Sequence, residues 1–308
     1  MADVTDAAFR RIITKYGKPD VLWTEFVAVD GLLSPGRDVL LKDLMYTEAE
    51  RPIVAQIFGS KPDNFFKVAK MSAELGFDGI DINMGCPDRN VEKQGGGASM
   101  MKYPKLAQEV IAATKEGAPT LPVSVKTRVG YNKVELDTWI PALLEAKPAV
   151  ITVHARTRKE MSDVPARWEH VAEAVEMAKG TDTLIIGNGD VKDLADARQK
   201  ATETGADGIM LGRAIFGNPW LFEDPSISRR RFGMEDGVLI EQKLRVMVEH
   251  TKIFMELLGD VKNFAVMKKH YKAYVNGFDG AKELRIKLME TDGAEEVETI
   301  VDKFLAER

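Results

Sequence analysis

The sequence predicts an α/β protein made of repeated parallel βα units, followed by a small all-helical domain. Three observations carry that prediction. Short apolar runs alternate with helix-period segments from residue 21 to residue 211. An internal echo, Leu75-Gly76-Phe77-Asp78-Gly79-Ile80 against Thr204-Gly205-Ala206-Asp207-Gly208-Ile209, repeats a helix end, a glycine cap and a strand start. After Phe232 the strand signal stops and only helical segments follow.

In chain order, Val21–Val27 reads as a strand, and Pro52–Phe58 reads as the next, ending at Gly59. Pro62–Leu75 places Phe65, Phe66, Val68, Ala69 and Leu75 at helical spacing. Gly79–Asn83 is a strand, and Pro104–Lys115 a helix with proline in its first turn. Strands over Pro122–Thr127, Ala149–His154, Thr183–Gly187 and Asp207–Leu211 alternate with helices over Leu136–Leu144, Trp168–Ala178 and Val191–Thr202. Seven strands, mostly buried on both faces, are expected. A (β/α)8 barrel needs eight, and a doubly wound sheet usually has fewer. Beyond them, Val238–Leu258, Lys262–Val275, Lys282–Glu290 and Ala294–Ala306 read as a helical bundle. Residues 1–232 and 233–308 are thus expected as two domains.

The 308 residues suffice for that division. A single cysteine excludes an internal disulfide and fits a reducing compartment, so a cytoplasmic location is expected. No apolar run reaches membrane-span length, and the N-terminus lacks a signal-peptide pattern. The net charge of −5 argues against a broadly basic nucleic-acid surface, though not against a local patch. It also leads to the expectation of a monomer. One such patch is Lys262–Lys287, where seven basic residues are interleaved with Tyr271, Tyr274 and Phe278. This reads as a solvated face or as a surface for a phosphate backbone.

Candidate chemistry sits at strand ends. Cys86 lies where Gly79–Asn83 breaks into a Gly/Pro loop, a place suited to a proton donor or nucleophile. Gln56 offers an amide to a flat heterocycle. Lys126 suits a Schiff base or neutralisation of a developing anion. His154 ends the next strand. Gly187-Asn188-Gly189-Asp190 and Gly212-Arg213, at the positions of barrel strands seven and eight, suit a phosphate. Gly95-Gly96-Gly97 lacks the context of a nucleotide fingerprint and reads as a mobile loop. His170, His250 and His270 have no partners at metal-ligand spacing, so no metal is expected.

Asp81–Pro87, Ser124–Arg128, Val153–Arg158, Gly187–Asp190 and Gly212-Arg213, in this order, resemble the tRNA-dihydrouridine synthases. The resemblance implies a TIM barrel with a C-terminal helical tRNA-binding domain, reducing the C5–C6 bond of uridine in tRNA with FMN and NADPH or NADH. It implies FMN contacts from Met1, Ala2, Gln56, Lys126 and His154. The FMN phosphate would lie on Asn188, Gly189, Asp190, Gly212 and Arg213. Cys86 would be the general acid, with Asn83 and Arg156 facing the uracil.

The sequence departs from the family pattern in two places. Met1 takes the position of the methionine that usually ends the first strand, so that strand is expected to be missing. Weak stability or poor FMN retention is expected to follow. Met161–Trp168 replaces a usual Tyr-x-Gly-x-Ala-x-Trp stretch. The rival readings are an FMN-dependent barrel oxidoreductase acting on a free pyrimidine or enone, a Schiff-base lyase using Lys126, and a tRNA-binding protein without catalysis.

Overall fold

The computed structural model describes residues 3–223 and 240–308. Met1, Ala2 and the expected boundary at 232/233 fall outside those residues. One sheet contains β1 (Leu22–Trp23), β2 (Val27–Ala28), β3 (Ile53–Phe58), β4 (Gly79–Met84), β5 (Val123–Arg128), β6 (Val150–His154), β7 (Leu184–Asn188) and β8 (Gly208–Met210). From β3 to β8 each strand pairs in parallel with the next in sequence. That is the order of a (β/α)8 barrel, not of a doubly wound sheet, whose order reverses at a switch point. Among the described residues no pairing joins β8 to β1.

The single strand expected over Val21–Val27 is two short pieces, both beside β3. The cause is Thr24, whose Oγ1 accepts the Gln56 N–H at 3.0 Å. A side chain there takes a bond that a continuous strand would give to backbone.

The helices are α1 (Ala7–Tyr16), α2 (Val29–Leu32), α3 (Arg37–Leu41), α4 (Pro62–Glu74), α5 (Arg89–Lys93), α6 (Pro104–Gly117), α7 (Leu136–Glu145), α8 (Glu169–Ala178), α9 (Leu194–Thr204), α10 (Ile240–Leu258), α11 (Ala265–Tyr274), α12 (Ala281–Met289) and α13 (Ala294–Ala306). The chain divides into two compact units. One comprises Trp23–Leu44 with Arg51–Ala214, and the other Met1–Leu22, Met45–Glu50 and Ile215–Arg308. The unit that holds the C-terminal helices is therefore discontinuous in sequence.

In the sheet unit, alternate residues have opposite chemistry. Ile80 and Ile82 of β4, Val123 and Val125 of β5, and Ile151 and Val153 of β6 are buried aliphatics. This face meets the helices. Trp139 of α7 donates Nε1–H to Thr127 Oγ1 at 2.9 Å, and the position of a Gly187 Cβ is already filled by Trp168 and Val171. The other face is polar, because side chains two apart on a strand share a side. The central strands are thus mostly buried on both faces, as expected, but apolar on only one.

The helical unit is built on amphipathic spacing. Leu244, Met247, Phe254 and Leu258 of α10 pack with Met267 and Tyr271 of α11, Leu284 and Leu288 of α12, and Val297 and Val301 of α13. Helix α1, unforeseen in the sequence, joins the same core through Ala8 and Ile12. Its first turn is capped by Asp6, which accepts the Phe9 N–H at 2.9 Å. The adjacent Arg10 is fully buried, donating to Glu50 at 2.8 Å and to the Thr5 carbonyl at 2.8 Å.

Candidate active site

Three rows of polar side chains cross the strands on the face away from the helices. The pairing register sets Gln56, Asp81 and Ser124 side by side. It does the same for Asn83, Lys126 and Thr152, and for Arg128, His154 and Asn188. The second and third rows lie toward the C-terminal ends of the strands, where barrels carry their ligands.

In the first row, Asp81 is fully buried. It accepts from Ser124 Oγ at 2.5 Å and from Gln56 Nε2 at 2.7 Å. Gln56 Oε1 accepts from Asn83 Nδ2 at 3.2 Å. Asn83 Oδ1 in turn accepts the Gly85 N–H at 3.1 Å and the Cys86 N–H at 2.9 Å. Asn83 therefore shapes the turn that carries the thiol. Burial is the main effect raising the Asp81 carboxyl, with its two donors and Lys126 acting against it.

Cys86 is half-buried, and burial pushes its thiol above the ordinary 9.0. It is therefore a protonated thiol at neutral pH, not a thiolate nucleophile. Its loop is pinned from several sides. Arg128 Nε donates to the Gly85 carbonyl at 2.8 Å, and Ala98 N–H to the Cys86 carbonyl at 2.9 Å. The glycine triplet expected as a mobile loop is packed here instead. Gly97 has φ of +57°, and a Cβ on it would sit 2.6 Å from the Cys86 carbonyl oxygen. Arg158 adds a pair with Glu92 of α5, Nε to Oε1 at 2.9 Å.

Lys126 Nζ donates to Asn188 Oδ1 at 3.2 Å, and Asn188 Nδ2 donates to the Met210 carbonyl at 2.7 Å. Loss of hydration, helped by Arg128, lowers Lys126 to about 8. Burial and then the charges of Lys126, Arg128, Arg156 and Arg213 hold His154 far below 6.5, so the imidazole is neutral. Arg156 Nη1 lies 3.1 Å from His154 Nε2. A guanidinium only donates, so Nε2 accepts and the proton resides on Nδ1.

Arg156 is almost wholly buried and also donates to the Val164 carbonyl at 2.6 Å and to Asp190. Asp190 accepts in addition from Arg213 at 2.6 Å and from Ala166 N–H at 2.9 Å. Its carboxylate is thus engaged by two arginines and would repel a phosphate; what Asp190 can offer an anion is its backbone. Gly189 lies under His154, where a Cβ would come 3.3 Å from the ring and 2.8 Å from Ala166. Gly212 lies two residues beyond the end of β8, and Arg213 is exposed. The divergent stretch Met161–Trp168 closes on the same loop, with Trp168 Nε1 donating to the Gly189 carbonyl at 3.0 Å.

The structure therefore joins Gln56 with Asn83 and the Cys86 turn, Lys126 with Asn188, and His154 with Arg156, Asp190 and Arg213. Sequence reasoning passed over Asp81, Ser124, Arg128 and Thr152. Their signal was the period-2 polarity of Asp81-Ile82-Asn83, Ser124-Val125-Lys126-Thr127-Arg128 and Thr152-Val153-His154.

An anionic, phosphate-bearing ligand fits this chemistry. Lys126, Arg128, Arg156 and Arg213 outnumber Asp81 and Asp190, leaving an anion-seeking surface. Thr152 Oγ1, buried beside Lys126 in its row, has no partner among the described residues. Among the described residues no group of three or more His, Cys, Asp or Glu could hold a metal.

In the helical unit, Lys272, Asn276, Lys282, Arg285, Ile286 and Met289 line a groove of about 470 Å³. Of the three aromatics expected there, Tyr271 and Tyr274 are fully buried in the core and not available to a ligand, while Phe278 is only partly buried. His250 and His270, unrelated by sequence spacing, come together with ring centroids 4.6 Å apart.

A family model described as dihydrouridine synthase (Dus) matches residues 1–307. The protein of Bacillus subtilis (strain 168) named "Probable tRNA-dihydrouridine synthase 2" is 40% identical over 308 residues, covering 99% of this chain and 92% of that protein. A "Probable tRNA-dihydrouridine synthase" of Staphylococcus aureus (strain COL) is 38% identical, covering 100% and 92%. Among solved structures, histamine dehydrogenase from Rhizobium sp. 4-9 superposes with a TM-score of 0.55 at 14% identity, over 81% of this chain and 47% of that one. That likeness is one of fold.

Proposed function

Because the chain belongs to the dihydrouridine synthase family, we propose that it is an FMN-dependent tRNA-dihydrouridine synthase that takes its electrons from NADPH and works in the cytoplasm. The observation that carries this reading is Cys86. The chain's one thiol is held protonated at the end of β4, on a turn anchored to the polar rows of the sheet.

Gln56, Lys126, His154 and Asn188 would hold the ring system of FMN. The backbone of Gly189, Asp190 and Gly212, with Arg213, would hold its phosphate. FMN, when bound, supplies the hydride that saturates the uracil C5–C6 bond. Cys86 holds the proton that goes to C5, and burial keeps it there until a carbanion-like centre takes it. Lys126 would offer its positive charge to a reduced, anionic ring. His154 offers a neutral Nδ1–H, which donates without competing for that charge. The uridine must leave its stack to reach the site, as bases must for other modifying enzymes. The groove lined by Lys272, Lys282 and Arg285 supplies charges for the tRNA backbone, which makes binding weaken with salt.

The test uses purified protein with FMN, NADPH and unmodified tRNA transcript. Dihydrouridine should form on tRNA and not on free uracil. Cys86→Ala should keep NADPH-dependent bleaching of the flavin while dihydrouridine formation falls by roughly a hundredfold or more. A variant as active as the parent refutes the assignment of Cys86. Equal turnover of free uracil favours the small-substrate oxidoreductase.

A further inference from the structure

We propose that Asp81 is a positioning residue: its carboxylate fixes the sense of the Gln56 and Asn83 amides and, through them, holds the turn that carries Cys86. The value of this to catalysis rests on the reading of Cys86 as proton donor, but the contacts and the test do not.

Asp81 sits between Gln56 and Ser124 in one cross-strand row and is fully buried. A carboxylate only accepts, so it compels Gln56 to present Nε2, which it does at 2.7 Å. Gln56 Oε1 is thereby turned to Asn83, which must present Nδ2. That leaves Asn83 Oδ1 for the N–H groups of Gly85 and Cys86. Every donor in the series points toward Asp81. The two ends of an amide have nearly the same shape, so packing does not choose between them; the fixed groups at the ends of the series do, the Asp81 carboxylate at one and the Gly85 and Cys86 N–H groups at the other. Ser124 imposes no direction, because a hydroxyl can rotate to donate or accept.

An amide at position 81 can face Gln56 with either end. With Asp81→Asn, the reversed arrangement turns Asn83 Nδ2 onto two N–H donors and opens the turn. Asn83→Asp alone sets a second carboxylate against Gln56, which can satisfy only one of the two. Together the substitutions restore a full set. Asn at 81 donates to Gln56 Oε1, Gln56 Nε2 donates to Asp at 83, and that carboxylate accepts from Gly85 and Cys86. The carboxylate has moved along the series and the donor direction has reversed.

Cys86 is the only cysteine, so alkylation by iodoacetamide against pH reports on this turn alone, with no cofactor or tRNA present. Asp81→Asn should speed alkylation near neutral pH by roughly fivefold, the size of one lost hydrogen bond, and move its midpoint down. Both single variants should lower Tm, and the double variant should recover both the parental profile and Tm. Ser124→Ala should leave the alkylation profile in place. If a single variant does not fold, recovery of folded protein in the double supports the proposal in the same way, and a double that also fails to fold overturns it. A double variant no better than its worse parent likewise overturns the proposal. So does Ser124→Ala shifting Cys86 as far as Asp81→Asn, which would mean general loosening.

Discussion

The helical unit stores an acid sensitivity that can be worked out from two rings. His250 and His270 are fully buried, and among the described residues no nitrogen of either ring has a hydrogen-bond partner. Their neighbours are aromatic, with Phe9 at 5.3 and 4.9 Å and Phe216 at 5.5 Å from His270. Burial lowers His250 well below 6.5 and His270 to about 3, with Lys269 adding to the latter. The unfolded chain, with ordinary histidines, therefore binds more protons below about pH 6.5, and acid favours unfolding. The contribution is complete above that pH and falls by about 1.4 kcal/mol per unit for each ring as pH drops toward the folded value. Between about pH 7.5 and about pH 5 the two rings together account for roughly 4 kcal/mol. The assay is urea denaturation of the parent and of a His250→Phe, His270→Phe double variant at both pH values. The variant should lose roughly 4 kcal/mol less on acidification, since its carboxylates titrate as in the parent. Equal losses would mean that the imidazoles protonate as readily in the folded chain, and the burial argument would fail.

Three further outcomes are expected. Gly97→Ala forces a Cβ to within 2.6 Å of the Cys86 carbonyl at a φ of +57°. It should cost at least about 1–2 kcal/mol in thermal or urea unfolding and cut dihydrouridine formation. Trp139→Phe removes the donor to Thr127 Oγ1 and leaves a buried hydroxyl short of one partner, for a loss of about 1–3 kcal/mol read as a fall in Tm. Lys126, lowered to about 8, should lose its charge as pH rises past that value. FMN affinity from fluorescence titration should then weaken above about pH 8 in the parent and be flat in Lys126→Met.

The sheet's βα order and most helix limits were legible because period and punctuation are local signals. Helix α13 falls on Ala294–Ala306 as expected, and Gly205 caps α9 in the left-handed region at φ +72°. What was not legible depended on partners distant in sequence. Thr24 divides the first strand by taking a bond from Gln56, a neighbour only once the sheet forms. Helix α1 is short and carries arginines at positions 10 and 11; its burial rests on α10 and on Glu50, which no local window contains. Within the site, Cys86, Lys126 and His154 stood out as chemically able residues at strand ends. Asp81 and Ser124 did not, since one carboxylate and one hydroxyl mid-strand have no local mark of their role. The alternation around them was present throughout. A strand reading Asp-Ile-Asn-Met is polar on one side, and that side is where a barrel has its interior.

That polarity also bears on what the inner face of the sheet is suited to hold. Burying charged and amide groups costs several kcal/mol unless they satisfy one another. Most of them do: Asp81 with Ser124 and Gln56, Lys126 with Asn188, and Arg156 with His154 and Asp190. Two features are left unbalanced. Thr152 Oγ1 has no partner among the described residues, and the cations exceed the carboxylates around His154 strongly enough to help hold that imidazole neutral. A set of residues selected only for stability would replace such a threonine with valine and drop a lysine or an arginine. Retaining both makes sense where an anionic, hydrogen-bonding group occupies the space. On that argument Thr152→Val should raise the stability of the flavin-free protein while weakening its hold on FMN. A variant that gained stability with no loss of FMN affinity would show that the unpartnered hydroxyl faces no ligand.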